Sequence, residues 1–431
     1  MTAQDYAPHG SVSEPSQQEP KSSLSVLIVG MHYSPEPTGN APYTTKLAEG
    51  LSAMGHRVEV ITGYPHYPHW RIADGYSGLS TKETVNGVTV RRFRHSVPST
   101  PRTLNRLLME VTFGLHAMLR RWGKHDVVLV VSPALFSAVF AVSKARIKGT
   151  PVGVWVQDLY SRGLSETGGS TTATWLMKTI ESKVLGACTG VTVIHGRFRN
   201  YVVNELAVHA SKVNVIRNWT HIHSEQQFDR DAVRGRLGWA PDETVALHAG
   251  NMGVKQGLEN VVEAARLADA FDSHVRFVLL GEGNRREALQ EAGRGVASLS
   301  FLKPLSDLEY SEALRAADVL IVNERPDLRE MSVPSKLTSY FAAGRPVVAA
   351  THPESATADE IRASGAGITV DPERPSVLLR AVEKLALDPG QAETLGSAGP
   401  SYAEQALSAA VALDAYSRWL ADLSGLPSGP S

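Results

Sequence analysis

Three glycine-bearing junctions in the second half of the chain have the makings of an anion site. The first is "HAGNMGVKQGLENVVEAARLA", His248 to Ala268. An apolar run ends at Ala249, a turn carries Gly250, Gly253 and Gly257 with Lys255 among them, and a helical pattern follows at once. Unpaired backbone N–H groups and the helix dipole both point into such a turn. The second junction, "VLLGEGNRREAL", carries Gly281 and Gly283. The third, "EMSVPSKLTSYFAAGRPVVAA", puts Lys336 at a helix start and Gly344 at its end. Each follows a strand-like run, so their tips converge if one sheet holds all three. Such a site suits a diphosphate that bears a nucleoside and a second group. GxxxxGK[ST] is absent and GxGxxG is matched poorly, so neither a P-loop nor the dinucleotide fingerprint is present.

In the first half, "VWVQDLYSRG" places Gln157 and Asp158 just after a strand. A carboxylate there orients a hydroxyl or accepts its proton, or else caps a helix. His195, in "TVIHGRF" with Arg197 close behind, is a second acid–base candidate, with a cap or core role as the alternative. In "SPEPTGNAPY", Gly39 allows close backbone approach to a ligand, and Pro35 and Pro37 shape the connection. Asp229 and Asp231 form a D-x-D pair, but they stand where a helix begins, which makes Asp229 an N-cap. "YPHYPHW" offers His66 and His69 with prolines between them and no third ligand nearby in sequence, so it reads as an aromatic loop at a cleft mouth. No metal site is expected.

The elements that must position these residues alternate. Strand-like runs at "LSVLIVG", "HRVEVIT", "GVTVRRF", "DVVLVV", "PVGVWV", "GVTVI" and "KVNVIR" are mostly separated by helical stretches, around 103–122, 134–147, 172–187 and 196–207. The pattern returns with "TVALHAG", "VRFVLLG", "SLSFL", "ADVLIVN", "RPVVAA" and "AGITV". Strands alternating with helices imply parallel, doubly wound sheets. The expected architecture is α/β, with two Rossmann-like domains, 24–218 and 219–398, facing a cleft. Residues 1–23, rich in Ser, Pro and Gln, read as a disordered tail, and 399–422 as a final helix that returns to the first domain. In such sheets ligands bind beyond the C-terminal strand ends.

A 42% hydrophobic, 20% charged chain is globular, and a net charge of −1 gives no global case for nucleic acid. The lone cysteine, Cys188, excludes an internal disulfide and reads as a small buried hydrophobe. No run approaches the ~20 apolar residues of a membrane span, and the first residues lack the apolar core of a signal peptide. The expected location is cytoplasmic, or peripheral on the inner face of the cell membrane.

"YSPEPTGNAPYTTKLAEGLSAMGHRVEVIT", "GNMGVKQGLENVVEAA", "GEGNRREAL" and "VPSKLTSYFAAGRPVVA" together resemble glycosyltransferase family four, in the branch that builds bacterial exopolysaccharides and O-antigens. The resemblance spans about residues 24–400. It implies a GT-B fold, a nucleotide-diphosphate sugar in the second domain and a glycan or polyprenyl-diphosphate-linked acceptor in the first. It also implies transfer with retention; no cofactor is expected, in line with the reading of Asp229 as a cap. By this resemblance Gly250, Asn251, Lys255 and Gly281 border the donor, and Lys336 meets a phosphate. The family's basic residues in the first turn are replaced by Asn251 and Gln256. Its paired glutamates fall at Met331 and Ser339, with Glu330 beside the first position and Ser339 left to meet a ribose hydroxyl. Gly39 belongs to the loop that closes over donor phosphate and acceptor, and Asp158 stands where the family often has polar active residues; His195 remains a candidate from its own strand-end position.

Two alternatives share the architecture: a nucleotide-sugar 2-epimerase, which needs a cleft rich in acids and histidines, and a non-catalytic two-lobed binding protein for a sugar or anion. Finally, "RTLNRLLMEVTFGLHAMLRRWGK" carries Leu104, Leu107, Leu108, Val111, Leu115, Met118, Leu119 and Trp122 at helical spacing. Basic residues gather at its ends, Arg91, Arg92 and Arg94 lie just upstream, and Glu110 is its single acid. The stripe either packs on its own sheet or meets an anionic membrane surface.

Overall fold

The computed structural model describes residues 23–36, 39–67, 69–98, 103–166, 170–220, 228–327 and 336–426. The first half forms an eight-stranded sheet from β1 (Ser25–Val29), β2 (Arg57–Gly63), β3 (Ser80–Val85), β4 (Val88–Phe93), β5 (Val127–Ser132), β6 (Val152–Val156), β7 (Gly190–Val193) and β8 (Val213–Val215). Its order is β3-β4-β2-β1-β5-β6-β7-β8, parallel except for the β3–β4 hairpin. The second half forms a six-stranded parallel sheet from β9 (Thr244–Ala249), β10 (Val275–Leu280), β11 (Leu299–Leu302), β12 (Val319–Asn323), β13 (Val347–Ala350) and β14 (Gly367–Val370). Its order is β11-β10-β9-β12-β13-β14.

The central strands are continuous apolar runs because helices cover both faces of each sheet. β1 and β5 are buried along their whole length, and β9 is buried from its second residue. Four apolar clusters fill the two faces of the two sheets. The order β9-β12 reverses the direction of winding in the second sheet, and Brändén's rule places a ligand crevice at such a reversal.

The chain crosses between the domains twice. The helix Pro389–Ala406 stays with the second domain, where Ala403 and Leu407 enter its core. Ser408 then caps a new helix, Ala409–Ser424, by accepting from the Val411 N–H at 3.2 Å. Only this last helix reaches the first sheet, so the single stretch expected at 399–422 is two elements. Its Tyr416 and Trp419 join Trp155 and Trp219 in one aromatic cluster. Gly153 and Gly190 on β6 and β7 make room for it. A Cβ on Gly153 would lie 2.6 Å from the Trp419 ring, and one on Gly190 would lie 2.7 Å from Leu423.

Candidate active site

The donor-side junctions converge as their strand order requires. β9 and β10 are neighbours in register, so Ala249 lies opposite Leu280 and the two glycine turns leave the sheet side by side. Gly250 donates to the Leu280 carbonyl at 2.8 Å, and Met252 to the Glu282 carbonyl at 2.8 Å. Gly281 (φ +136°) and Gly283 (φ +156°) are needed there, because a Cβ would fall 2.0 Å from the Gly250 oxygen and 2.4 Å from the Met252 oxygen. Tyr340 pins the end of β9: its hydroxyl accepts from the Ala249 N–H at 2.7 Å and donates to the Ala249 carbonyl at 3.2 Å. The far end of the first turn is held by Asn323 of β12, which donates to the Gln256 and Gly257 carbonyls at 2.8 and 2.9 Å.

Lys336 opens the helix Lys336–Ala342 directly beneath Gly250; a Cβ on that glycine would lie 3.6 Å from its Nζ. Its ammonium donates to Nε2 of His248 at 3.2 Å. Burial pushes Lys336 down to about 8, with Glu324 pulling the other way. Burial first, and then Lys336, hold His248 well below the usual range, so its ring is neutral and accepts. The arrangement is a cation without a full charge partner, set beneath the Gly250 turn.

Lys255 takes a different place. It is exposed, and it lines a cavity of about 500 Å³ between the domains together with His32, Trp70, Arg106, Glu110 and Asp158 of the first domain. Asn251 is exposed on the first turn. The Ser339 hydroxyl hydrogen-bonds Tyr310, so it faces the helix Asp307–Ala316. That partner ties the serine to the neighbouring helix. Glu330 and Met331 lie outside the described residues. Glu324, at the end of β12 and coupled to Lys336, is an acid that motif reasoning passed over.

On the first-domain wall, Asp158 lines the cavity and accepts from the Leu159 N–H at 2.9 Å. Glu181 fixes the following turn by accepting from the Tyr160 and Ser161 N–H groups at 2.9 and 3.2 Å. His195 is buried and caps the helix Gly196–Asn204, its Nδ1 accepting from the Arg197 N–H at 3.2 Å. Burial, with Arg217 and Arg197 nearby, pushes it down to about 4, so the ring is neutral. It is not among the residues lining the cavity, and what its ring does here is cap the helix. Gly39 (φ +68°) precedes Asn40, which lines the cavity, and the helix Ala41–Ala53. From that helix Tyr43 hydrogen-bonds Thr338 of the second domain. The start of the helix Ala41–Ala53 therefore lies beside the Lys336 helix, joined to it through Tyr43. Two ion pairs also bridge the domains, Arg197–Asp359 at 2.6 Å and Arg217–Glu360 at 2.5 Å.

Two expectations change. A third potential ligand does stand near His66: Glu36 and His32 come from a segment some thirty residues earlier, and the three groups lie within 4.8 Å of one another. Glu36 accepts from the His66 and Tyr67 N–H groups at 2.8 and 2.9 Å and contacts His32 Nδ1 at 2.6 Å, while His66 Nδ1 lies 3.0 Å from the Tyr64 carbonyl. Glu36 thereby ties two loops together, while His66 Nε2 stays buried without a hydrogen-bond partner among the described residues. Second, only part of the stripe on the helix Thr103–Leu119 is exposed, and Glu110 is not on that face. It is buried with Met109, Phe113 and Ala117 on the inner side, whereas Leu108, Leu115 and Leu119 are 53%, 43% and 71% exposed. Trp122 is buried too, Arg92 pairs with Glu83 and Arg91 with Glu59, so these three leave the set expected to face a membrane. Asp229 accepts from the Asp231 and Ala232 N–H groups, both at 3.1 Å, as a helix cap.

Comparison with known proteins agrees with this geometry. Residues 38–219 match the glycosyl transferase 4-like domain, and residues 243–388 match glycosyl transferases group 1. A relative from Escherichia coli K12, named as the putative colanic acid biosynthesis glycosyl transferase WcaI, is 32% identical over 385 residues, covering 85% of this chain and 93% of that one. This chain belongs to the family four glycosyltransferases. It is an enzyme of the GT-B fold, which leaves the epimerase and binding-protein alternatives behind. Among solved structures, sucrose-phosphate synthase from Thermosynechococcus elongatus superposes with a TM-score of 0.73 at 17% identity, over 93% of this chain and 99% of that one. HepE from Anabaena, solved with UDP, superposes with a TM-score of 0.67 at 16% identity, over 93% and 100%.

Proposed function

We propose that this glycosyltransferase moves a sugar from a nucleoside-diphosphate donor to a hydroxyl of a lipid-linked glycan during surface polysaccharide assembly. The observation that carries the reading is the interdomain cavity, whose lining joins Lys255 of the first glycine turn to Asp158 of the first domain. The colanic-acid assignment of the Escherichia coli relative and the UDP and UDP-glucose bound by HepE support it. The donor diphosphate lies on the Gly250 and Gly281 turns, with the Lys336 ammonium below. These groups stabilise charge as the bond from the anomeric carbon to the phosphate oxygen breaks. The acceptor oxygen attacks from the same face, its proton passes to the departing phosphate oxygen, and configuration is retained. Asp158 orients the acceptor hydroxyl. No divalent ion is required. Incubation with a panel of nucleotide sugars and a lipid-linked acceptor, with assay of nucleoside diphosphate release and of the product's anomeric configuration, tests the reading. Release from none of them defeats it.

The acceptor's lipid assigns the exposed face of the helix Thr103–Leu119 to the inner leaflet. Leu108, Leu115 and Leu119 project outward, Arg121 and Lys124 are exposed at its end, and Trp175 on the helix Thr171–Ala187 is 65% exposed. No helix among the described residues is long and apolar enough to cross a membrane, so contact would be peripheral. Each basic residue near an anionic surface contributes ~1 kcal/mol. Binding to phosphatidylglycerol vesicles is expected at low salt, and is expected to weaken at high salt and in the Arg121→Glu, Lys124→Glu double variant. A protein that stays in the supernatant at low salt overturns the assignment.

A further inference from the structure

The first-domain wall of the cavity carries a cluster with no part in the transfer chemistry set out above. Trp70 stands at φ +53°, in the left-handed region that bulky side chains rarely adopt. Surrounding groups hold it there. The Arg106 guanidinium lies 5.1 Å from its ring centroid, and Tyr67 meets it edge-on at 5.8 Å. One helical turn beyond Arg106 is Glu110, which is buried yet lines the cavity. One of its carboxyl oxygens accepts from the Phe136 N–H at 3.0 Å. Its other oxygen makes no hydrogen bond among the described residues.

We propose that Trp70, Arg106 and Glu110 form a subsite for a pyranose ring of the acceptor, and that Glu110 selects which pyranose is taken. This rests on reading the first-domain wall as the acceptor side. The indole supplies an apolar wall for the C–H face of a sugar, with Arg106 packed against it. The free oxygen of Glu110 takes a ring hydroxyl, and the Phe136 N–H fixes its direction. Burial pushes Glu110 up to about 7, opposed by the Phe136 N–H and by Arg106. Near neutral pH a large share of the carboxyl is therefore protonated, able both to donate to a sugar hydroxyl and to accept from one. A site built to hydrogen-bond a hydroxyl discriminates strongly against an epimer that leaves its polar group unpaired.

The test uses the full chain with UDP present and methyl glucopyranoside, galactopyranoside and mannopyranoside as probes. Binding is read by saturation-transfer NMR titration, and UDP affinity and melting are measured on the same samples. Wild type is expected to prefer one epimer. Glu110→Gln should weaken that epimer about tenfold and flatten the preference, and Trp70→Ala should weaken all three sugars. UDP affinity and melting should hold in Glu110→Gln. Sugar binding unchanged in both variants overturns the subsite, as does a wild type that binds none of the three. A Glu110→Gln protein that loses sugar, UDP and melting temperature together shows a structural carboxyl, and overturns it as well. Nucleoside diphosphate release by wild type separates the readings. If release persists while sugar binding ignores Glu110, the transferase reading stands and the subsite falls.

Discussion

On the second-domain side of the cleft the proposed ligand surface is mostly backbone: two glycine turns on neighbouring strands, a tyrosine pinning a strand end, and one lysine below. On the first-domain side it is side chain: His32, Trp70, Arg106, Glu110 and Asp158, drawn from four separate segments. On the proposed reading the donor's diphosphate, common to many sugars, meets this wall without reference to the sugar that it carries. An acceptor must be told apart from its epimers, which takes directed carboxyls and rings. The two walls should therefore fail differently when mutated, the donor wall sharply and for any donor, the acceptor wall selectively.

The largest effect is expected at Gly281. A Cβ there would lie 2.0 Å from a backbone oxygen, at a φ that side chains avoid. Gly281→Ala should cost roughly 3 kcal/mol, divided between folding stability and UDP affinity. Gly39 provides the contrast. Its φ is also positive, but a Cβ would meet nothing within 4 Å, so Gly39→Ala should cost only about 1 kcal/mol. Thermal melts and UDP titration of the two variants compare them directly. Equal costs would show that the Gly281 contact relaxes, and that the wall is softer than its geometry suggests.

Next come the lysines. Lys336→Met removes the ammonium under Gly250 and should weaken UDP by roughly ten- to a hundredfold, the range of a lost charge-assisted contact of about 1.5–3 kcal/mol. Lys255 is exposed and opens onto the acceptor cavity. Solvent screening cuts its share, so Lys255→Met should change UDP affinity by less than about threefold. Calorimetry that finds the two losses equal, or reversed, returns Lys255 to the donor site.

The same lysine gives the donor wall a pH signature. The form that binds a diphosphate is the cation, and in the empty site Lys336 titrates at about 8. Below that pH the cation is in place. As pH rises above it the neutral amine takes over, so UDP affinity should fall by up to about tenfold per unit between pH 8 and 9. The UDP phosphates are fully ionised throughout that window, since their last proton leaves near pH ~6. The Lys336→Met variant should show no such fall. A flat wild-type profile to pH 9 would mean that the ammonium keeps its ordinary affinity for protons.

The donor wall was the more legible one, and the reason is physical. A glycine at a strand end followed by a helical pattern is a local signal, and neighbouring parallel strands must bring such ends together. The buried strands announced themselves as unbroken apolar runs. β3 did not, because "STKETV" is a partly exposed, polar edge strand with no apolar face to show. The acceptor wall was illegible for the opposite reason. Glu110 is the one acid in its helix, and only the packing of Met109, Phe113 and Ala117 reveals that its side faces inward. Likewise Glu36 meets His66 across thirty residues, a contact that no spacing rule encodes.

The smallest effect is expected at a place on neither wall. Asp229 and Asp231 spell the D-x-D that holds a metal in other glycosyltransferases, and a metal there would make the donor wall ionic and not backbone-built. The Asp229 carboxylate is already engaged: it accepts from the Asp231 and Ala232 N–H groups at the start of the helix Arg230–Leu237. Asp231 sits in the first helical turn, where a negative charge meets the positive end of the dipole. Loss of such a cap costs about 1 kcal/mol. Asp229→Ala should therefore lower the melting temperature slightly, Asp229→Asn should restore most of it, and neither should alter UDP affinity. Transfer should continue in EDTA for wild type and both variants. If EDTA abolishes transfer and manganese restores it in wild type but not in Asp229→Ala, the pair is a metal site and the backbone alone does not hold the diphosphate. If manganese restores both equally, the ion sits elsewhere, and His32, Glu36 and His66 become the residues to replace.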